Sequence, residues 1–492
     1  MQQPLTCYSI TVYQANLFHA MRTFLPLFLL LCVTLLLHNT VGAAGKSSLK
    51  PNIIVVLADD LGWSDLSCYG NTAIQTPHLD RLAAEGISFG SFYVTPICSP
   101  SRCALITGQY PPRWRITSFL YDRQMNEQRG MEHWLDPEAP TLARFLQNAG
   151  YATGHFGKWH LGGGLHDVDD APLITEYGFD ESFTNFCGLG PRVLPLLNLF
   201  DGSEPKSESH GSEKLGRGEF IWMDRNKITG CFVDKALAFI KKAETAGKPF
   251  YVNVFPDDPH SPFFPSVELR GDGSKKTLYH GVVVEMDRQL APLFEYIRES
   301  KTLRDNTLIL FLSDNGPEPG AGSSAPLRGS KGMLYDGGTR SPLIVWGEGL
   351  LAKNVRGRRN EATVFQAVDL IPSLLNIAGV EIPEEVVFDG EDFSAVILGN
   401  AATQEHKAPL FWRRPPDRPG TEDKPWPDLA LREGNWKFLM QFDGSLPQLY
   451  DLSRDVSESK NLSAQHPELV EKYETMILDW NKQFPKDAGE LR

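Results

Sequence analysis

Ile53-Ile54-Val55-Val56-Leu57-Ala58 runs without a polar residue into Asp59-Asp60. A continuous aliphatic run opening on four β-branched residues fits a strand covered on both faces, the pattern of a buried parallel sheet. A second run, Thr307-Leu308-Ile309-Leu310-Phe311-Leu312, passes into Ser313-Asp314-Asn315-Gly316. Ligand groups in open α/β sheets collect beyond the carboxyl ends of the strands, so both polar endings are candidates for chemistry. Taken singly, either pair reads as a helix cap or turn. Together, four oxygen-bearing side chains after two strong strands suit a hard cation such as calcium.

Helices are predicted between further strands. Thr76 at a cap, Pro77 next and Gly86 at the end mark a helix whose buried stripe would be Leu79, Leu82 and Ala83, with His78 toward solvent or the core edge. Residues 140–150 form another short helix and lead into a strand over 151–156, and 250–255 is a further strand. Residues 283–297 and 364–378 look helical, with Pro372 expected to kink or divide the latter. Alternating strands and helices predict an α/β sandwich with a large, mostly parallel sheet flanked by helices. After about Gly399 the character changes: short strands over 410–412, 428–432, 436–441 and 448–451, then a helix over 467–484, predict a small antiparallel sheet with a packed helix. The Pro-rich basic stretch from Trp412-Arg413-Arg414-Pro415-Pro416 to Trp426 could border a cleft and touch a sugar chain; a solvated connection is the preferred reading.

Met21-Arg22, the thirteen-residue apolar core over 25–37 and the small residues Val41-Gly42-Ala43 read as a secretory signal behind an upstream extension. The core is short for a membrane anchor, and no later stretch is long and apolar enough for one. The division expected is 1–43 as extension and signal, 44–399 as an α/β catalytic domain and 400–492 as a smaller α+β subdomain. Seven cysteines occur, at 7, 32, 68, 98, 103, 187 and 231; losing the signal leaves five, and an oxidising compartment permits disulfides without choosing their pairing. No Cys-x-x-Cys or His-x-x-x-His spacing suggests zinc. Net charge is −13, and residues 1–43 hold one Arg and no acid, so the remainder carries −14. Such a chain does not bind nucleic acid through a general basic surface, and an anionic substrate would need positive charge concentrated locally.

Cys98-Ser99-Pro100-Ser101-Arg102 supplies part of that concentration. Pro100 favours a first helical turn and Gly108 a stop, so Cys98 lies at a helix N-terminus, which attracts negative charge, and Arg102 can return along the same face. The bland reading is a buried cysteine capped by a turn. In Gly157-Lys158-Trp159-His160-Leu161-Gly162, an extended backbone would point Lys158 and His160 to one side, with flanking glycines allowing close approach. Lys158 could clamp an anionic oxygen and His160 pass a proton; separately, each also reads as a surface Lys and a structural His. His260 follows the 250–255 strand, and Lys331 lies in the glycine-rich loop Arg328-Gly329-Ser330-Lys331-Gly332.

Asp59-Asp60, Cys98 to Arg102, Gly157 to Gly162, His260, Asp314-Asn315-Gly316 and Lys331, in this order, resemble the formylglycine-dependent sulfatases, in the manner of arylsulfatases and N-acetylgalactosamine-6-sulfatase. The resemblance covers the chain from about Pro51 to the C-terminal region and departs at Gln109, where the family usually has Arg, and at Ile106 in place of Leu. These departures touch the outer part of the modification motif, with lower conversion as their implied effect. The resemblance implies an alkaline-phosphatase-like sandwich and oxidation of Cys98 to formylglycine by a separate maturation enzyme. It makes Asp59, Asp60, Asp314, Asn315 and residue 98 the ligands of Ca2+. Arg102 would secure the hydrated aldehyde, Lys158, His260 and Lys331 would contact sulfate, and His160 would take a proton as the covalent sulfate is expelled. Calcium at +2, three basic side chains at +3 and three aspartates at −3 would leave +2 in the cleft. The implied activity is sulfate-ester hydrolysis on a sulfated carbohydrate by an exported protein, secreted, periplasmic or lysosomal according to its host. Two alternatives stand beside it: hydrolysis of phosphate or phosphonate esters, and a sulfated-glycan-binding protein that never matures Cys98. Loops near His166-Asp167 and Asp257-Asp258 are candidates for specificity, and Asn461-Leu462-Ser463 is a possible glycosylation site.

Overall fold

Every residue of the strand Asn52–Ala58 is buried, and its side chains alternate between two cores. Ile53, Val55 and Leu57 join the layer on one face, Ile54, Val56 and Ala58 the layer on the other, as the period of two requires of a strand covered twice. Each of the Ile, Val and Leu side chains contributes about 1.5–3 kcal/mol by leaving water. The structure, a computed structural model, describes residues 50–164, 170–185, 187–199, 202–207 and 217–490. The expected signal segment and the His166-Asp167 pair lie outside these.

Asn52–Ala58 is central in a nine-stranded sheet. Across it the order is Arg358–Asn360, Ile87–Tyr93, Arg340–Trp346, Thr307–Ser313, Asn52–Ala58, Phe250–Phe255, Ala152–Gly157 and Glu181–Phe183, with Phe365–Gln366 also on Ile87–Tyr93. Arg340–Trp346 is antiparallel to both its neighbours, and the other pairings are parallel. The register aligns Ala58 with Ser313 and Gly157 with Phe255, so four adjacent strands end on one edge. The acids, Lys158 and the loop bearing His260 all leave from that edge.

The helix Lys275–Glu299 begins eight residues before its predicted start, because Ser274 caps it by accepting a bond from the Thr277 amide; Pro292 is carried inside it. Residues 364–378 are not one helix. Phe365–Gln366 pairs with Phe92 and Tyr93, and only Leu370–Ala378 is α-helical. Pro372 thus falls in the first turn, where a missing N–H removes no bond, and it neither kinks nor divides the helix.

Leu410–Arg413, Leu429–Glu433, Trp436–Met440 and Gln448–Asp451 form the antiparallel C-terminal sheet, followed by the helix Pro467–Asn481. Leu429, Leu431, Phe438 and Met440 share a core with Tyr473, Ile477 and Trp480. The reading of the Arg413-Arg414 stretch as solvated is corrected. Arg413 is buried against Glu490 and Asp487, and Arg414 against Asp428, because the acids needed to neutralise them come from the same C-terminal region. The cysteines at 68, 98, 103 and 231 are free thiols. No helix among the described residues is long and apolar enough to cross a membrane.

Candidate active site

Asp59 and Asp60 emerge from the central strand and Asp314 and Asn315 from its parallel neighbour, all fully buried. Backbone bonds lock the two ends together: the Asp314 amide donates to the Ala58 carbonyl at 3.1 Å, and the Asp60 amide to Asp314 Oδ1 at 3.2 Å. Asn315 Nδ2 donates to Asp60 Oδ1 at 2.7 Å. Asp60 holds φ 64°, the left-handed region that costs a non-glycine residue about 1–2 kcal/mol. That turn brings its carboxylate back over the strand end.

Three cations face these acids. Arg102 donates from Nη2 and Nε to Asp314 Oδ2 at 2.8 and 3.2 Å and from Nη1 to the Lys158 carbonyl at 2.7 Å. Lys158 Nζ donates to Asp59 Oδ2, and Lys331 Nζ to Asp60 Oδ2 at 2.6 Å. His260 Nε2 stands 3.7 Å from the same Asp60 oxygen, and the Asp59, Asp60 and His260 ligand atoms all lie within 4.8 Å of one another. Burial alone would raise the Asp59 carboxyl, but Lys158, His260, Arg102 and Lys331 together hold it well below the usual range. For Asp314, burial and the Asp59 charge prevail and raise it. Asp59 Oδ1 and Asn315 Oδ1 are buried acceptors with no hydrogen-bond donor among the described residues. Such atoms are costly unless something positive meets them, and an all-oxygen set of carboxylates and an amide fits a hard divalent cation.

Cys98 opens the helix Cys98–Thr107, every residue of which is buried; it is itself 2% exposed. Burial raises its thiol pKa against the pull of Lys158 and Lys331, so it stays protonated and is a poor nucleophile as it stands. Gly157 ends its strand at φ 130°, where a Cβ would come within 2.0 Å of the Phe255 carbonyl oxygen. Lys158 and His160 therefore do not continue an extended strand, a correction to the alternation expected. His160 is left-handed at φ 56°, and its Nε2 reaches the Leu120 carbonyl at 2.9 Å. Burial, Lys158 and Arg102 lower its pKa well below that of a free imidazole.

The Sulfatase family model matches residues 51–380. The chain belongs to the sulfatase family. As such it is a sulfuric ester hydrolase, and its architecture is the alkaline-phosphatase-like sandwich. It is 29% identical to an N-acetylgalactosamine-6-O-sulfatase of Bacteroides thetaiotaomicron, over 88% of this chain and 93% of that one. It is 32% identical to the N-acetylgalactosamine-6-sulfatase of Canis lupus familiaris, over 76% and 70%. Among solved structures it resembles Ps i-CgsB in complex with k-i-k-neocarrahexaose, with a TM-score of 0.67 and 28% identity, over 86% of this chain and 90% of that one.

In this sulfatase the residues singled out in the sequence converge on one sheet edge, and others not foreseen hold them there. Ser99 Oγ accepts the Leu120 amide at 3.0 Å, fixing the carbonyl that meets His160. Arg225, 4% exposed, donates to Asp258 Oδ1 at 2.7 Å, to the Asp257 carbonyl at 3.1 Å and to the His260 carbonyl at 3.3 Å. The Asp258 carbonyl accepts the Asp59 amide at 2.9 Å. Asp257 and Asp258 thus brace the site from behind. Nothing near Arg225 in the sequence signals this, and a backbone carbonyl such as that of Leu120 has no residue signature at all. Gln109 is also explained: it is buried, donating to the Val387 carbonyl at 2.6 Å and accepting from Trp114 Nε1 at 3.1 Å.

Proposed function

We propose that this sulfatase hydrolyses sulfate esters of a sulfated carbohydrate, with Cys98 converted to formylglycine and Ca2+ held by Asp59, Asp60, Asp314, Asn315 and residue 98. One observation carries the reading: three buried acids meet the buried Arg102 and Lys158 and the largely covered Lys331 around a single inert thiol, with two acceptor oxygens left undonated. Bound calcium supplies Lewis acidity toward sulfate oxygens and stabilises developing alkoxide charge. Formylglycine supplies, when hydrated, a second hydroxyl that neither cysteine nor serine has.

The protein's own groups divide the remaining work. Three aspartates and three basic side chains cancel, so a divalent cation leaves the cleft positive inside a chain of net −13. Arg102 secures residue 98, and its fork to Asp314 keeps that acid turned inward. Lys158 and Lys331 bind sulfate oxygens as point charges. The Leu120 carbonyl only accepts, so the neutral His160 ring carries its proton on Nε2 and is basic at Nδ1; with its pKa lowered, it is the unprotonated group able to take a hydroxyl proton. His260 donates from Nδ1 to the Ser261 carbonyl at 2.6 Å, leaving Nε2 as the exchangeable position toward the departing alcohol.

The carbohydrate assignment draws on the N-acetylgalactosamine-6-sulfatase relatives and the oligosaccharide-bound neighbour. Residues 44–399 are read as the catalytic domain and 400–492 as a subdomain, in a protein exported behind residues 1–43 and matured by a formylglycine-generating enzyme. The test is sulfate release from an aryl sulfate and from 6-sulfated N-acetylgalactosamine, with intact-mass analysis of residue 98. Release that disappears in Cys98→Ala supports the reading. No release from either substrate after verified formylglycine formation overturns it, and faster turnover of the matched phosphate ester moves the protein to phosphoryl chemistry.

A further inference from the structure

The Pro-rich stretch after Arg414 packs against the Lys331 loop through Arg418. A methyl group on Gly332, the residue after Lys331, would lie 3.5 Å from Arg418 Cδ and 3.7 Å from the Trp426 ring. On the other side of Arg418 is Phe119, whose ring centre is 5.8 Å from the Arg418 guanidinium and 4.2 Å from that of Arg129. Phe119 immediately precedes Leu120, the residue holding His160, and Arg129 Nη1 donates to the Phe119 carbonyl at 2.8 Å. The two arginines and the half-buried aromatic thus stand between the Lys331 loop and the segment that orients His160.

Charge here is unevenly shared between the two arginines. Asp417 is the carboxylate shared by both arginines; it accepts from Ser118 Oγ at 2.6 Å and meets Arg129 Nη2 at 2.9 Å. Arg418 Nε is left 4.0 Å away, and among the described residues the Arg418 side chain makes no hydrogen bond, although it is 39% exposed. Asp417 and Asp122 both act on Arg129, so the cation left without a close carboxylate is Arg418, whose planar fork stands beside an aromatic ring.

We propose that Arg418, with Arg129 and Phe119 beside it, forms a subsite that binds a second anionic group, on the sugar next to the one losing its sulfate. This deepens the glycan reading and rests on it. A guanidinium fork suits the paired oxygens of a sulfate or carboxylate, and the half-buried Trp426 ring beside it is an apolar surface of the kind a sugar ring packs on. The substrate class that follows is a polyanionic glycan chain rather than an isolated sulfated monosaccharide.

The experiment compares three disaccharides of 6-sulfated N-acetylgalactosamine, whose neighbouring sugar is a neutral hexose, the same hexose sulfated, or a hexuronate. The measured quantity is the ratio of kcat/KM for each doubly charged substrate to that for the singly charged one, in which general damage to the enzyme cancels. In Arg418→Ala the ratio is expected to fall about tenfold, the weight of one charge-assisted hydrogen bond, mainly through KM. A fall with the sulfated neighbour alone assigns the subsite to sulfate, with the hexuronate alone to carboxylate, and with both to either anion. Arg418→Gln replaces the alanine variant if that does not fold. Ratios unmoved in a variant that still hydrolyses aryl sulfate overturn the subsite alone, whereas a wild type that hydrolyses no sulfate ester overturns the underlying activity with it.

Discussion

Arg225 offers a separate test of how the site is held, because it touches no proposed substrate group yet grips the loop that carries His260. Arg225→Met keeps the stem of the side chain and removes the guanidinium. Asp258, buried beside it, loses its 2.7 Å partner, the His260 carbonyl loses the guanidinium donor, and the Asp257 carbonyl keeps only the His260 amide. Removing one member of a buried ion pair costs about 3–5 kcal/mol. With an unfolding entropy of ~2.1 cal/mol/K per residue over Lys50–Arg492, that is ~1 °C in thermal midpoint per kcal/mol, so a fall of about 3–5 °C is expected. The functional loss should be larger in proportion. His260 and the Asp59 amide both hang on this loop, and a misplacement near 1 Å costs about 10²-fold in rate. Arg225→Lys, which restores the charge but not the fork, should recover most of the stability and only part of the rate. Melting curves and kcat/KM on an aryl sulfate read the two effects. A methionine variant that melts several degrees lower yet turns over within twofold of wild type would refute the claim that Arg225 positions His260.

Chelation is expected to abolish sulfate release and added Ca2+ to restore it; turnover persisting in protein that elemental analysis finds metal-free would count against the oxygen-ligand site. Lys437 is fully buried between Asp336 at 2.6 Å and Glu458 at 3.1 Å, so Lys437→Met should lower stability by about 3 kcal/mol or more, visible as a lower denaturation midpoint. The His406 ring is largely covered, which alone would lower its pKa, but the Asp369 hydrogen bond and the Asp369 and Glu391 charges raise it. A raised histidine stabilises fully below the unfolded pKa of about 6.5, and the contribution is lost as pH rises through the higher folded value. The melting temperature should therefore decline above about pH 6.5, and His406→Gln should flatten that decline; an unchanged slope would show that another group titrates.

The parts legible in the sequence are those where local pattern and tertiary role coincide. The run from Ile53 to Ala58 can only be a strand covered twice, and the acids ending it can only leave the carboxyl edge. The C-terminal strands were similarly readable from short apolar runs between turns. Where partners distant in sequence decide, the pattern fails. Phe365–Gln366 gives up helical periodicity to pair with Phe92 and Tyr93. The left-handed backbones of Asp60 and His160 have no glycine to announce them, and alternation misdirects His160 for that reason. Arg225 and the Leu120 carbonyl act only through contacts made across the fold.

The depth of the helix beginning at Cys98 fixes an order of events in the life of the protein. With the thiol shut away and ten consecutive residues enclosed around it, no second macromolecule can reach that sulfur once the chain has closed. The conversion of residue 98 proposed above would therefore have to happen on nascent or still-open polypeptide, and a producing cell that missed the moment would make a well-folded protein that later exposure to the converting enzyme would not repair.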